Sequence, residues 1–195
     1  MLIHEKGPFV RGSILLISFL VLFCVLLTPI MRDEKGNHLT GLQYADNVFN
    51  ELSKGSSYFI PSVREHVKTV EKVNVKVTVT MKKAELAETA VQVLTKAGMT
   101  ASADGAKVSY EGNLAAMLNA ATTDADSLYH NDAATVSARY DGTHALKAAA
   151  AWWYVLSPSI KELQKQRLIA EAQVVDQVLR RAVEPGNNFY SVEPV

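Results

Sequence analysis

An uncharged apolar run over residues 14–31, ILLISFLVLFCVLLTPIM, constrains this chain more than any other feature. Its 18 residues come close to the roughly 20 that a helix needs to cross a hydrocarbon core of about 30 Å. A secretory signal has a shorter apolar region, of about 7–15 residues, and a small-x-small cleavage site after it. The sequence TPIMRDEK at the end of the run contains no such site. We therefore expect residues 14–31 to be an uncleaved transmembrane anchor in contact with the lipid bilayer.

The positive charges that flank the run leave its orientation balanced. Lys6 and Arg11 precede it, and Arg32 and Lys35 follow it. The positive-inside rule, which places the end with more Lys and Arg in the cytoplasm, therefore favours neither orientation. A short tail before an anchor and a large domain after it favour an N-terminus in the cytoplasm. We expect residues 1–13 to be a short cytoplasmic tail of a single-pass protein of the cell inner membrane, with the C-terminal domain in the periplasm.

The composition of the whole chain excludes some partners. Acidic and basic residues balance at 20 each, which argues against a nucleic-acid-binding surface. The only cysteine, Cys24, lies inside the apolar run, so the rest of the chain cannot form an internal disulfide.

The residues after the run indicate two helices. Thr40 is a suitable N-cap for a helix that ends near Gly55, and Pro61 suits the first turn of a second, short helix. We expect residues 32–72 to form a membrane-proximal helical stalk.

The period of the sequence then changes to two. In VNVKVTVTM, residues 73–81, valines and a methionine alternate with polar residues, which predicts a strand with one buried face. A helix ending at Gly98, a hairpin at Asp104-Gly105, a further helix and a strand over residues 134–140 complete the pattern. This order predicts an α+β fold with a ferredoxin-like βαββαβ domain over residues 73–142.

Residues 143–183 predict additional C-terminal helices. KAAAAWWYVLSPSI, residues 147–160, contains too few uncharged residues to cross a bilayer at 1.5 Å per residue. A helix that packs on the sheet is the favoured interpretation, and an aromatic belt at a lipid boundary is the alternative. Pro158 predicts a kink or a restart. Residues 160–183 are expected to form one helix, whose stripe of apolar residues fits the domain's own core and a partner helix equally well. Residues 184–195 are expected to be an extended tail.

Motifs that would indicate catalysis or metal binding are missing from the sequence. Asp126 and His130 lie four residues apart and make the best metal candidate, but a solvated helix end is the favoured interpretation. The sequence contains neither G-x-S-x-G nor H-E-x-x-H. We expect no catalytic residue, no metal site, no cofactor and no enzymatic activity.

In element order, the chain resembles the single-pass platform subunits of type IV pilus and type II secretion machines, and this resemblance implies a scaffolding role. Our hypothesis is a membrane-anchored extracytoplasmic scaffold or accessory subunit of a membrane complex. It would act through contacts with a protein partner or a second copy. The alternative is a single-pass ligand-sensing or solute-binding module that works through a partner, with a pocket near Tyr140 and Trp153. Candidate partner or membrane-interface contacts are Trp152, Trp153, Tyr154, Leu168, Val175 and Leu179.

Overall fold

The computed structural model describes residues 6–33 and 36–192, and it places them in two compact units that divide between Ser53 and Lys54. Residues 1–5 of the predicted cytoplasmic tail, Glu34, Lys35 and residues 193–195 of the predicted extended tail lie outside the described residues. The fold is mixed α+β and mainly helical, with two small antiparallel sheets.

The first unit contains one long apolar helix, α1 (Lys6–Leu27), in which no residue is buried. By length and composition this helix could serve as a single-pass anchor or as a signal sequence, and it is the one such helix among the described residues. The helix begins before the predicted span 14–31 and ends before Met31. The next residues form a two-stranded hairpin of β1 (Met31–Arg32) and β2 (His38–Leu39).

Helix α2 (Gly41–Ser56) follows the hairpin and ends three residues beyond the unit boundary. Its start is closed by a reciprocal pair of hydrogen bonds. The backbone N–H of Gln43 donates to Thr40 Oγ1 at 3.2 Å, and the N–H of Thr40 donates to Gln43 Oε1 at 2.9 Å. This is a capping box, which satisfies two otherwise unpaired donors, and it confirms Thr40 as the N-cap.

The second unit packs helices against a three-stranded sheet. Strand β5 lies between β3 and β4 and pairs antiparallel with both. The elements in chain order are α3 (Ile60–Lys68), β3 (Asn74–Thr80), a 3₁₀ turn (Ala84–Leu86), α4 (Ala87–Lys96), β4 (Thr100–Asp104), β5 (Lys107–Asn113), α5 (Leu114–Tyr129), α6 (Ala133–Arg139), α7 (Ala145–Lys165), α8 (Ile169–Val178), a π turn (Leu179–Val183) and α9 (Glu184–Asn188).

The sheet confirms the period-two prediction. Val77 lies opposite Tyr110 and Val79 lies opposite Val108, and all four side chains are buried. The alternate side chains of β3, including Thr78, are exposed. The predicted hairpin is also present, since Gly105 adopts φ +56° between β4 and β5, a left-handed conformation that glycine allows without strain.

The predicted fourth strand over residues 134–140 is wrong. This segment is helix α6, and the side chain of Asp132 caps it by accepting a hydrogen bond from the N–H of Thr135 at 3.0 Å. The segment is rich in alanine, the best helix former, and within α6 only Val136 is buried. The strand–helix–strand–strand–helix order is therefore present over β3 to α5, but the full βαββαβ domain is not formed.

Helix α7 contains the tryptophan pair and packs on β3 and α4, which confirms the interpretation that this helix packs on the sheet. The predicted restart at Pro158 is wrong, because α7 runs through it to Lys165. Proline removes one helical hydrogen bond, and buried neighbours, including Leu156 and Leu163, hold the helix in place.

The predicted single helix over residues 160–183 is divided in two. Arg167 has φ +65°, and the N–H of Leu168 donates back to Leu163 O at 3.0 Å. This closure ends α7, and α8 then folds back against it. Sequence spacing alone did not show the break because a left-handed residue other than glycine has no strong local signature.

The folded unit is larger than the predicted domain over residues 73–142. Val63 and Val67 of α3 are buried in its core, within the segment predicted to be a stalk, and so are Leu163 and Val175 of the C-terminal helices. The predicted extended tail is wrong for residues 184–188, which form α9. A Cβ on Gly186 would lie 2.6 Å from the carbonyl oxygen of Ala125, so only glycine lets α9 lie this close to α5.

A buried hydrogen bond fastens α7 to the sheet. The hydroxyl of Tyr110 donates to Ser159 Oγ at 2.7 Å, and Ser159 Oγ donates to Val155 O at 2.6 Å. Burial raises the pKa of Tyr110 to about 12, and the hydrogen bond to Ser159 opposes this rise.

This tyrosine predicts a pH dependence of stability. The folded protein holds the Tyr110 proton more tightly than the unfolded chain, whose tyrosines titrate near pH 10. Its contribution to stability is therefore complete below about pH 10 and is lost as the pH rises to about 12, a change of about 3 kcal/mol. Urea unfolding of the full chain in detergent, followed by tryptophan fluorescence, measures this change. Over this pH interval, the free energy of unfolding should fall less in Tyr110→Phe than in the wild type.

The variant Ser159→Ala is the control for this prediction. It removes the hydrogen bond that opposes the rise of the Tyr110 pKa and keeps the burial, so its stability should depend on pH at least as strongly as that of the wild type. Equal losses of stability in Tyr110→Phe and the wild type would contradict the assignment.

Candidate binding groove

Three adjoining cavities lie between α7 and the segment that runs from α8 to α9. Their volumes are about 260, 500 and 380 Å³. The first is lined by Ala149, Ala150, Trp153, Tyr154, Val183, Glu184, Asn187 and Asn188. The second is lined by Trp153, Ser157, Ile160, Lys161, Gln164, Asp176, Leu179, Arg180 and Glu184, and the third by Ile160, Gln164, Ala172, Gln173, Asp176 and Gln177.

Shared walls join the cavities into one groove, which we call the α7 groove. Trp153 and Glu184 line both the first and the second cavity. Ile160, Gln164 and Asp176 line both the second and the third. From Ala149 to Gln164 the groove follows about 22 Å of α7, at 1.5 Å per residue.

The chemistry of the groove changes along its length. The first cavity combines the small side chains of Ala149 and Ala150 with two aromatic side chains and two amides. The middle carries charges of both signs, and there the Arg180 Nε donates to the Asp176 carboxylate at 2.8 Å. This hydrogen bond raises the pKa of Arg180. An apolar end with nearby polar groups is the usual composition of a binding site.

The wall opposite α7 contains an irregular helical turn. Residues Leu179–Val183 form a single π turn between α8 and α9, and single π turns inside helices occur frequently at functional sites. Leu179, Ala182 and Val183 of this turn are buried. The turn therefore combines core packing with a contribution to the groove wall.

A buried carboxylate behind the groove fixes the orientation of the tryptophan pair. Asp124 of α5 is 1% exposed and accepts a hydrogen bond from Trp152 Nε1 at 2.7 Å. It also accepts a hydrogen bond from the hydroxyl of Tyr140 and forms an ion pair with Arg139. Consecutive helical residues point about 100° apart. With Trp152 held inward on Asp124, Trp153 therefore faces the groove.

Tyr140 has a raised pKa because burial disfavours its ionised form, while its contact with Trp152 and the charge of Arg139 oppose the shift. The structure thus keeps this hydroxyl as a proton donor to Asp124. Tyr140 is not among the residues that line these three cavities, whereas Trp153 of the predicted pocket lines two of them.

The structure separates the six predicted contact residues. Trp152 and Val175 are buried in the core, and their side chains cannot reach a partner from there. Leu179 is also buried but borders the second cavity. Leu168 is half-buried against the core. Trp153 and Tyr154 remain on the groove surface, where Lys83 Nζ lies 5.5 Å from the centre of the Tyr154 ring.

The metal candidate is engaged in other contacts. Asp126 accepts hydrogen bonds from the Tyr58 hydroxyl at 2.9 Å and from Arg64 at 3.2 Å, and His130 Nδ1 lies 3.2 Å from the same carboxylate. Burial, and next the bond to Asp126, raise the pKa of Tyr58. Within residues 6–33 and 36–192, no group of three or more His, Cys, Asp or Glu is placed to hold a metal.

Sequence reasoning missed the role of Asp124. A signal was present, because Asp124 follows Met117 and Ala121 and precedes Leu128 at helical spacing, on the face that α5 buries. An acidic residue at a core position of a helix requires a buried partner. The partner, Arg139, is on another helix and could not be identified from spacing.

Comparison with models of known protein families, with curated proteins and with solved structures finds no match.

The contacts of Asp124 predict that removing its charge destabilises the protein more than removing the charge of the exposed Asp176. Asp124→Asn keeps the side-chain shape but removes the charge that balances Arg139, so it should lower the free energy of unfolding by about 3 kcal/mol, the order found for breaking a buried pair. Asp176→Asn removes the exposed pair with Arg180 and should cost less than about 1 kcal/mol. Urea unfolding of both variants measures the two losses, and equal losses would show that Asp124 does not hold the core together.

Proposed function

We propose that this chain is a non-enzymatic scaffold or accessory subunit of a membrane complex, which binds a segment of a partner protein in the α7 groove. In this proposal α1 is a single-pass anchor in the inner membrane, the tail that precedes it is cytoplasmic, and the second unit is periplasmic. No cofactor takes part.

The observation that carries this proposal is the continuity of the groove. Three cavities with shared walls extend along about 22 Å of α7, a length that an extended segment of about six or seven residues covers at 3.3 Å per residue. A compact metabolite would fill one cavity and leave the others empty. An elongated groove with an aromatic side chain near its middle is better matched to a protein segment.

The absence of buried residues from α1 supports the anchoring part of the proposal. An apolar helix in water would expose large side chains such as Leu15, Phe19 and Leu22. In a bilayer those side chains contact lipid, and the helix satisfies its own backbone hydrogen bonds. The chain would then be tethered to the membrane, where subunits of a membrane complex are located.

A ligand-sensing module remains the second candidate, and the first cavity favours it. Its volume of about 260 Å³ is close to the roughly 300 Å³ at which small-molecule pockets begin. The amides of Asn187 and Asn188 could fix the orientation of a ligand beside Trp153. A rise in melting temperature with a small metabolite, without capture of a partner protein, would favour this candidate.

Filling the groove tests the scaffold proposal. Ser157→Trp places a large side chain in the second cavity, and Thr78→Trp adds the same side chain to the exposed face of β3 as a matched control. In affinity capture of the full chain from native membranes in mild detergent, we expect Ser157→Trp to weaken partner binding about tenfold or more, a loss of about 1.4 kcal/mol. We expect Thr78→Trp to bind as the wild type does.

Two outcomes would contradict the proposal. One is recovery of the wild-type chain alone and monomeric, as measured by light scattering. The other is equal capture by Ser157→Trp and the wild type, provided that circular dichroism shows both variants to be folded.

A further inference from the structure

Helix α2 presents an apolar face that the folded protein leaves exposed. Leu42, Ala45, Val48, Phe49 and Leu52 fall within an arc of about 120° when successive residues are rotated by 100°. The three largest residues of this face, Leu42, Phe49 and Leu52, are 54%, 68% and 55% exposed. Large side chains exposed together on one face of a helix mark a surface that contacts something else.

The opposite face of α2 is polar. Its residues up to the unit boundary are Gln43, Asp46, Asn47, Asn50, Glu51 and Ser53, and the aromatic Tyr44 lies at its edge. A helix with a sharp division between an apolar and a polar face is typical of helices that lie in the plane of a membrane surface.

The structure places the start of α2 at the end of α1. Met31 pairs with Leu39 in the hairpin, so the chain turns back after α1, and His38 Nδ1 lies 3.2 Å from the carbonyl oxygen of Pro29. A Cβ on Gly41 would lie 3.0 Å from Leu26 Cδ2. The first residue of α2 therefore touches the last turn of the apolar helix.

The exposure of the apolar face of α2 excludes an arrangement in which α2 packs along α1. If α2 packed antiparallel along α1, the apolar face of α2 would be covered by α1. Phe49 and Leu52 are instead among the more exposed large apolar residues of the chain. Contact with α1 thus fixes where α2 begins, and the apolar face beyond it stays open.

We infer that α2 is an interfacial helix that lies on the bilayer with its apolar face in the lipid. This inference rests on the proposed role of α1 as an anchor, because α1 brings α2 to the membrane surface. Asp46 and Glu51 make the exposed polar face acidic, so the burial of apolar surface holds the helix and no attraction to anionic lipid is needed. A zwitterionic bilayer is sufficient, and the segment is not an upright stalk.

Spin labels on the full chain test this placement. In a Cys24→Ala background, single cysteines are introduced as Phe49→Cys on the apolar face, Asn47→Cys on the polar face and Leu20→Cys in α1. Each labelled chain is inserted into phosphatidylcholine nanodiscs. Collision of the label with oxygen, which concentrates in lipid, is compared with collision with a water-soluble nickel complex.

We expect the oxygen-to-nickel collision ratio to be several-fold higher at Phe49→Cys than at Asn47→Cys, and highest at Leu20→Cys. If Leu20→Cys reports lipid while the two α2 labels both report water, the interfacial helix is wrong and the anchor stands. If the Phe49→Cys label is shielded from both reagents, protein covers this face, and the inference is also wrong. If Leu20→Cys reports water, the anchor and the interfacial helix both fail.

Discussion

The exposed apolar surface of α1 is the feature on which the proposed placement of the chain at a membrane depends. None of the 22 residues of the helix is buried by other parts of the described chain. Its backbone hydrogen bonds are satisfied within the helix, so the helix can enter hydrocarbon without unpaired polar groups. The residues after it have the mixed composition of a domain that folds in water. By length and composition the helix could be a single-pass anchor or a signal sequence, and its apolar surface is better suited to lipid than to water.

In the second unit, a few buried polar contacts hold α7 in one position. Tyr110 fastens the helix to the sheet through Ser159, and Asp124 of α5 holds Trp152 about two turns earlier on α7. Buried polar groups are costly unless they are paired, and these pairs therefore favour one orientation of the helix over its alternatives. With α7 fixed in this way, Trp153 faces the groove and the segment from α8 to α9 closes its other wall.

Strong local periodicity explains what the sequence could predict. Strand β3 was predictable because valines and polar residues alternate strictly, and the helix cap at Thr40 because Gln43 follows at the required spacing. The segment at residues 134–140 alternates too, but with alanines, whose small side chains gain little from a sheet and whose backbone favours a helix. Alternation of such small residues is a weak signal.

The groove could not be predicted from local pattern, because its parts come from separate elements. Trp153 was a candidate from the sequence, but its opposite wall needs the π turn and α9, and α9 depends on the contact between Gly186 and Ala125. The break at Arg167, which folds α8 back against α7, also depends on tertiary packing. Where residues distant in the sequence meet, propensity and periodicity carry little information.

Extraction of native membranes with alkaline carbonate, combined with N-terminal sequencing of the mature protein, tests the central claim most directly. The account predicts that the intact chain stays in the membrane pellet and that its mature form still contains residues 14–27. Release of the intact chain into the carbonate supernatant, or a mature N-terminus that begins after Leu27, would contradict it.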